Sequence, residues 1–284
     1  YMSLPGLSVL IGGMWVMTFS YWGFNQYITQ RALAAKNLQE AQKGIAFAAF
    51  LKLLMPIIVV VPGIAAFVLT PELAKPDQAY PEMMKLVPAG LLGICFAALV
   101  AAIASSLSSM ANSVATIFTM DIYQQRINTK ASEKQLLKMG RIAAISSVVV
   151  AAIIAQPLLG KLDQAFQYIQ EFTGFFTPGI VVIFVTGIFW KRTTANAALA
   201  SALISAIGSL LLKLFWPELA FMDRVGLIFV ICLAATIIIS LMDKQIAHPK
   251  AVDISEFNFA TSKGFNLASL AVVIVLVALY TTWW

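Results

Sequence analysis

The chain alternates between long apolar runs and short polar segments. Eight runs, at about 7–28, 45–70, 91–123, 138–158, 163–190, 195–216, 225–242 and 264–284, each predict a membrane-crossing helix. None shows the strict alternation of a membrane β-barrel, so the pattern predicts an all-α, polytopic membrane helix bundle of about eight transmembrane spans. Lys and Arg follow the same division. Thirteen fall in alternate connections: Arg31, Lys36, Lys43, Arg126, Lys130, Lys134, Lys138, Arg141, Lys191, Arg192, Lys244, Lys250 and Lys263. Only Lys75, Lys85, Lys161, Lys213 and Arg224 fall in the others. The richer set marks the cytoplasmic side. The first span then runs inward, and the last ends outside with Trp283 and Trp284 at the interface.

Composition agrees with this picture. The chain is 60% hydrophobic and 11% charged, whereas a soluble protein carries about a quarter charged residues. The net charge of +6 is absorbed by the loop asymmetry and does not point to nucleic acid. Cys95 and Cys232 lie inside apolar spans, which argues against a disulfide or a metal site. His248 lies in a polar loop and reads as a solvated residue. The chain opens at Tyr1 without a methionine, so an upstream part is expected. The external connection 71–89 holds Pro71, Pro76, Pro81 and Pro88, which fit an ordered cap with a short lid helix around 80–87. The connection 243–263 is the most polar stretch and is expected to be mobile. No domain boundary stands out, and the spans read as one bundle.

Chemistry concentrates in four spans. The 91–123 span carries Ser105, Ser106, Ser108, Ser109, Asn112 and Ser113 behind an apolar run. Ala102, Ser105 and Ser106 stand at i, i+3 and i+4, so one carbonyl and two hydroxyls converge on one patch. That is half of an oxygen cage for a small hard cation; the other reading is close helix packing with hydroxyls bonded back to their own backbone. The first span holds Thr18, Ser20, Tyr21, Trp22, Gly23, Asn25 and Gln26 at membrane depth. This fits a broken helix whose aromatics stack on a sugar ring, or an interfacial aromatic belt. Lys52 is the only basic residue well inside a span. It reads as a functional cation or as one that snorkels about 12 Å to the cytoplasmic surface. Pro56 and Pro62-Gly63 predict kinks beyond it. The 163–190 span is polar in its outer half and interrupted by Gly174 and Pro178-Gly179. Gln167 and Gln170 share one face, and Phe166 and Gln170 another. These amides suit either a hydroxyl-rich ligand or a neighbouring helix. Glu171 is one possible partner for Lys52, and a carboxylate outside this chain is another.

Three segments carry a family likeness: YWGFNQYITQRALAAKN (21–37), SSLSSMANSVATIFTMDIY (105–123) and FQYIQEFTGFFTPGI (166–180). A fourth, GIFWKRTTANAA (187–198), looks like a second signature, with Ala197 where glycine is usual. Over nearly all 284 residues the chain resembles the sodium/solute symporter family, and within it the sodium/glucose and bacterial sodium/galactose cotransporters. The resemblance implies a LeuT-like inverted-repeat fold. Residues 1–190 would be the second five-helix repeat and 191–284 three peripheral C-terminal helices. It implies a sodium ion held by Ala102, Ser105 and Ser106. It implies a sugar site of Thr18, Tyr21, Trp22, Lys52 and Gln170, gated by Tyr21 inside and Phe166 outside. The first repeat, absent here, would complete both sites. Thr18 departs from the bacterial galactose symporter, which has asparagine there, and matches animal glucose cotransporters, so the choice of sugar stays open.

The expected function is sodium-driven sugar symport by alternating access across a bacterial inner membrane. Its partners would be a sugar, Na+ as the co-transported ion, membrane lipid and the first repeat, with no nucleic acid. The alternative is a family member for another solute, such as an inositol, a sialic acid, proline or a vitamin. A sensor or scaffold of the same fold is a third reading. An enzyme is disfavoured, because no nucleophile–base pair or metal cluster occurs at membrane depth.

Overall fold

The computed structural model describes residues 7–70, 73, 75–159, 165–243 and 251–283. Tyr1, Pro71, Lys161, Lys244, His248, Lys250 and Trp284 lie outside the described residues, as do positions 163 and 164 of the fifth expected span. Every regular element described is helical. In chain order these are α1 (residues 7–24), α2 (Gln26–Leu33), α3 (Leu38–Leu69), α4 (Ala79–Lys85), α5 (Ala89–Ile127), α6 (Glu133–Leu158), α7 (Ala165–Gly174), α8 (Thr177–Phe189), α9 (Ala195–Phe215), α10 (Phe221–Met242) and α11 (Lys263–Thr282).

Among the described residues, α3, α5, α6, α9, α10 and α11 are long and apolar enough to cross a membrane. α7 and α8, bent by 43° at a short break, are long and apolar enough only together, which gives seven spans where the pair counts as one. The chain is an all-α polytopic membrane protein. The eighth expected span, 7–28, is different. Its helix is unbroken only over residues 7–24, about 27 Å, and Asn25 then turns to an extended conformation (φ −81°, ψ 115°). α3 begins at Leu38, seven residues before the apolar run. Asn37 caps it, its side chain accepting from the Glu40 amide at 2.9 Å. Pro56 does not break α3 but shifts one turn, Pro56–Val60, into π geometry. The helix expected around 80–87 is α4.

The chain forms two compact units rather than one undivided bundle. The first comprises residues 1–29 and 166–260, the second 30–165 and 261–284. In the first unit, α1 and α10 cross with their backbones in contact. A Cβ on Gly226 would lie 2.5 Å from the Gly12 carbonyl carbon, and one on Gly13 would strike the Met222 carbonyl oxygen. Small residues allow this approach, as is common between membrane helices. Val16, Val181 and Val225 are buried around the crossing, with Phe24, Phe221 and Phe229 packed on them. Val182, Ile228 and Cys232 form a neighbouring cluster. The 187–198 segment is a tight turn between helices. The Thr193 hydroxyl donates to the Thr186 carbonyl at 2.9 Å, and Thr194 caps α9. Ala197 is fully buried there, which accounts for a small residue.

In the second unit, α5 packs on α6 and α3 on α11. Ser132 and Gln135 exchange hydrogen bonds (3.0 and 3.4 Å) at the start of α6. Gln42, buried on α3, accepts from the Ser262 amide at 3.1 Å just before α11. The part of 243–263 that is described has local order. Asp253, in the first unit, accepts from the Ser255 amide (3.1 Å) and hydroxyl (2.9 Å) and pairs with Lys191 at 3.3 Å. The Ser255 hydrogen bonds, then Lys191, hold its carboxyl below the ordinary aspartate range.

Candidate functional site

On α5, Ala102, Ser105 and Ser106 sit within uninterrupted α-helix and are exposed. The serine-rich stretch separates into two behaviours. Ser109 and Thr116 bond back to the carbonyls of Ser105 (3.0 Å) and Asn112 (2.8 Å), as serines in apolar helices commonly do. The Ser105 and Ser106 hydroxyls make no hydrogen bond among the described residues. Two unengaged hydroxyls therefore stand one helical turn after Ala102, at the i, i+3 and i+4 spacing that places the three residues on one exposed face.

One turn further along, α5 is tied to α2. Gln30 donates to the Ser109 carbonyl at 3.3 Å, Asn112 donates to the Gln30 side-chain oxygen at 3.1 Å, and Arg31 donates to the Ser109 hydroxyl. Sequence reasoning counted Arg31 only as a topological charge and missed this network. The available signal was Ser109 in the hydroxyl cluster and the adjacent polar pair Gln30-Arg31.

The first unit holds Thr18, Tyr21, Trp22, Phe166 and Gln170. α1 contains two π-turns, Leu10–Met14 and Ser20–Phe24, a geometry often found at functional positions. The second carries Tyr21 and Trp22, which are 41% and 43% exposed. The Tyr21 ring stands edge-on to Trp22 at 5.4 Å and to Tyr27 at 6.0 Å. Phe24, at the end of the same turn, stacks on Phe184 of α8 at 4.9 Å. The break at Asn25 thus leaves an exposed aromatic cluster beside an anchored ring. The Thr18 hydroxyl is already engaged, donating to the Met14 carbonyl at 2.9 Å.

The break between α7 and α8 is built from Gly174, Phe175 and Phe176. Gly174 is buried, and the Phe221 ring occupies the place a side chain would need. Ser205 of α9 accepts from the Gly179 amide at 3.0 Å and donates to the Phe175 carbonyl at 2.8 Å. One hydroxyl therefore satisfies backbone groups on both sides of the interruption. On α7, Phe166 is 75% exposed and Gln170 is half-buried. The 71–89 connection meets this element at its start, where Asp77 accepts from the Ala165 amide at 3.0 Å. Glu171 has partners of its own: Arg224 at 2.6 Å and Lys213 at 3.0 Å.

Lys52 is exposed in the last turn of the straight part of α3, just before the π-turn at Pro56. It belongs to the second unit with Ala102, Ser105 and Ser106. The structure brings together Tyr21 with Trp22, Phe166 with Gln170 on one helix, and the three α5 residues on one face.

Residues 2–205 match the sodium:solute symporter family. The chain belongs to that family, a class of transporters and not of enzymes. Over its whole length it is 46% identical to a sodium/glucose cotransporter of Vibrio parahaemolyticus, of which it covers 55%. A sodium/myo-inositol cotransporter 2 of Homo sapiens is 38% identical over 76% of the chain and 35% of that protein. An uncharacterized symporter of Escherichia coli strain K12, YidK, is 29% identical over 98% of the chain and 49% of that protein. The chain thus spans about half the length of these bacterial relatives and about a third of the animal one.

Proposed function

We propose that this chain is the solute- and ion-binding second half of a sodium-coupled sugar symporter of the galactose/glucose class in a bacterial inner membrane. In this reading residues 1–190 are the second five-helix repeat, 191–284 are peripheral helices, and a first repeat supplies the remaining ligands. The observation that carries it is the pair of unengaged hydroxyls, Ser105 and Ser106, one turn after Ala102 on an exposed face of α5. Oxygen donors without charge suit Na+, which binds weakly enough to be released on each cycle. The likeness to the Vibrio sodium/glucose cotransporter supports the same assignment.

The proposed sugar-binding residues are Tyr21, Trp22 and Thr18 on α1 and Gln170 on α7 in the first unit, and Lys52 on α3 in the second. Tyr21 and Trp22 offer aromatic faces to the apolar side of the ring. Lys52 donates to sugar hydroxyls, and the Gln170 amide can both donate and accept. Thr18 contributes as an acceptor, since its proton is engaged with Met14. Sodium binding favours the outward-facing state with the sugar site formed. Phe166 closes over the sugar from outside; after the transition sodium leaves inward and Tyr21 swings away. A monovalent ion moving through 100 mV gains about 2.3 kcal/mol, and each tenfold sodium ratio adds about 1.4 kcal/mol. One sodium with a tenfold gradient can therefore sustain a sugar ratio of order 10² to 10³.

A second reading, a polyol such as an inositol, draws on the likeness to the sodium/myo-inositol cotransporter. Both are tested by uptake of radiolabelled galactose, glucose and myo-inositol into proteoliposomes of the full-length protein. Sodium replaced by potassium is the control. Sodium-dependent accumulation of a hexose establishes the first reading. Accumulation of myo-inositol alone establishes the second, and sodium-independent uptake removes both.

A further inference from the structure

Glu171 stands one residue after the proposed sugar amide Gln170, on the opposite side of the α7 break from the Ser205 clamp's α8 contact. Its two carboxylate oxygens are divided between two helices. One accepts from Arg224 Nη2 at 2.6 Å, in the first turn of α10, and the other meets Lys213 Nζ at 3.0 Å, in the last turn of α9. The Phe175 ring lies 5.7 Å from both cations, and Phe221 lies 5.9 Å from the guanidinium. These faces help to hold a charge removed from water.

The environment is uneven. The Arg224 side chain is 3% exposed, while those of Glu171 and Lys213 are 25% and 41% exposed. Arg224 Nε is buried with no partner among the described residues. The neighbouring carboxylate, Asp223, is bonded to Ser8 at 3.3 Å. Glu171 is therefore the charge that compensates a buried guanidinium, and removing it leaves that cation exposed to the full cost of burial.

Geometry gives the pair leverage. Ser205 holds both sides of the break at Phe175 and Gly179, so the break is a fixed pivot. Glu171 lies four residues before Phe175, about 6 Å along the helix, and Phe166 lies nine before it, about 13 Å. A tilt released at Glu171 is roughly doubled at Phe166. We propose that Glu171 is a positioning residue, a latch that docks α7 on α9 and α10 through Arg224 and Lys213 and so sets how readily Phe166 and Gln170 close over the sugar. This rests on the sugar-site reading above, in which Gln170 binds the sugar and Phe166 is the outer gate.

The test uses the full-length protein in proteoliposomes, in a background without other reactive thiols and with Gln167→Cys as an accessibility probe on α7. Glu171→Gln is expected to raise the sugar half-saturation about tenfold and to speed labelling by a membrane-impermeant maleimide severalfold. Sodium binding measured without sugar should stay within twofold. Glu171→Asp, which keeps the charge, should remain within threefold of the parent in every readout. Parental labelling and sugar half-saturation in Glu171→Gln would overturn the latch, as would equal damage from Glu171→Asp. Should Glu171→Gln fail to fold, Lys213→Gln removes the exposed partner instead; a shift in the same direction is expected, and none would overturn the proposal. Gln170→Ala separates the two ideas. Unchanged sugar affinity there removes the sugar-site reading, while the labelling of Glu171→Gln still decides the latch.

Discussion

At the scale of single residues, the hydroxyls of α5 show how one residue type does different work in one helix. Ser109 is committed to the Ser105 carbonyl and to Arg31, whereas Ser105 and Ser106 are not committed. Ser106→Ala is therefore expected to raise the sodium concentration for half-maximal uptake by about tenfold or more, since a hydrogen-bond-strength contact to a charged species is worth about 1.5–3 kcal/mol. Sodium titration of sugar uptake measures it, and an unchanged midpoint would remove Ser106 from the site. Lys52→Ala is expected to weaken sugar binding by about tenfold to a hundredfold on the same basis, with sodium binding measured without sugar nearly intact. Parallel losses of both would mean that Lys52 holds the fold and not the sugar.

Elements show which structural facts were written locally. The break between α7 and α8 was legible because Gly174 and Pro178-Gly179 punctuate an apolar run, and α4 was legible because the four prolines of its connection fit an ordered cap and not a flexible tether. Asn37 and Glu40 have the spacing of a helix cap, yet the polar residues that follow looked like a loop, so α3 was read as starting seven residues late. The interruption near Ser20–Phe24 was legible as a broken helix from Gly23 and the polar residues around it, but its π geometry and the stacking of Phe24 on Phe184 were not. Glu171 was likewise read without its partners, because Lys213 and Arg224 lie 42 and 53 residues away and only the fold brings them to it. Ser205 was not singled out at all; its importance comes from the break it satisfies. Ser205→Ala is expected to destabilise the detergent-solubilised protein by about 1–3 kcal/mol through two orphaned backbone groups, measured by thermal unfolding. An unchanged transition would mean that water replaces the hydroxyl.

For the whole molecule, the charge asymmetry predicts an orientation that packing does not enforce. A cysteine at Lys130 should be reached by an impermeant thiol reagent only from the cytoplasmic side, and one at Glu218 only from outside. The reverse pattern in right-side-out vesicles would invert the topology and exchange the sides proposed for Tyr21 and Phe166. The tie between Lys191 and Asp253 lies on the side assigned to the cytoplasm. Asp253 has its carboxyl held low, so its contribution is present at neutral pH and is lost only as pH falls through that lowered value.

The crossing of α1 and α10 bears on how the sequence is free to change. Where Gly13 meets Met222 and Gly226 meets Gly12, main chain touches main chain, and at Gly13 and Gly226 even one methyl group has nowhere to go. A lipid-facing leucine can drift to isoleucine or valine by single neutral steps, but these glycines have no such neighbours in sequence space. The route to any other residue there passes through a separated pair of helices. Lineages of this protein should therefore vary freely on their outer faces while remaining frozen at one small junction.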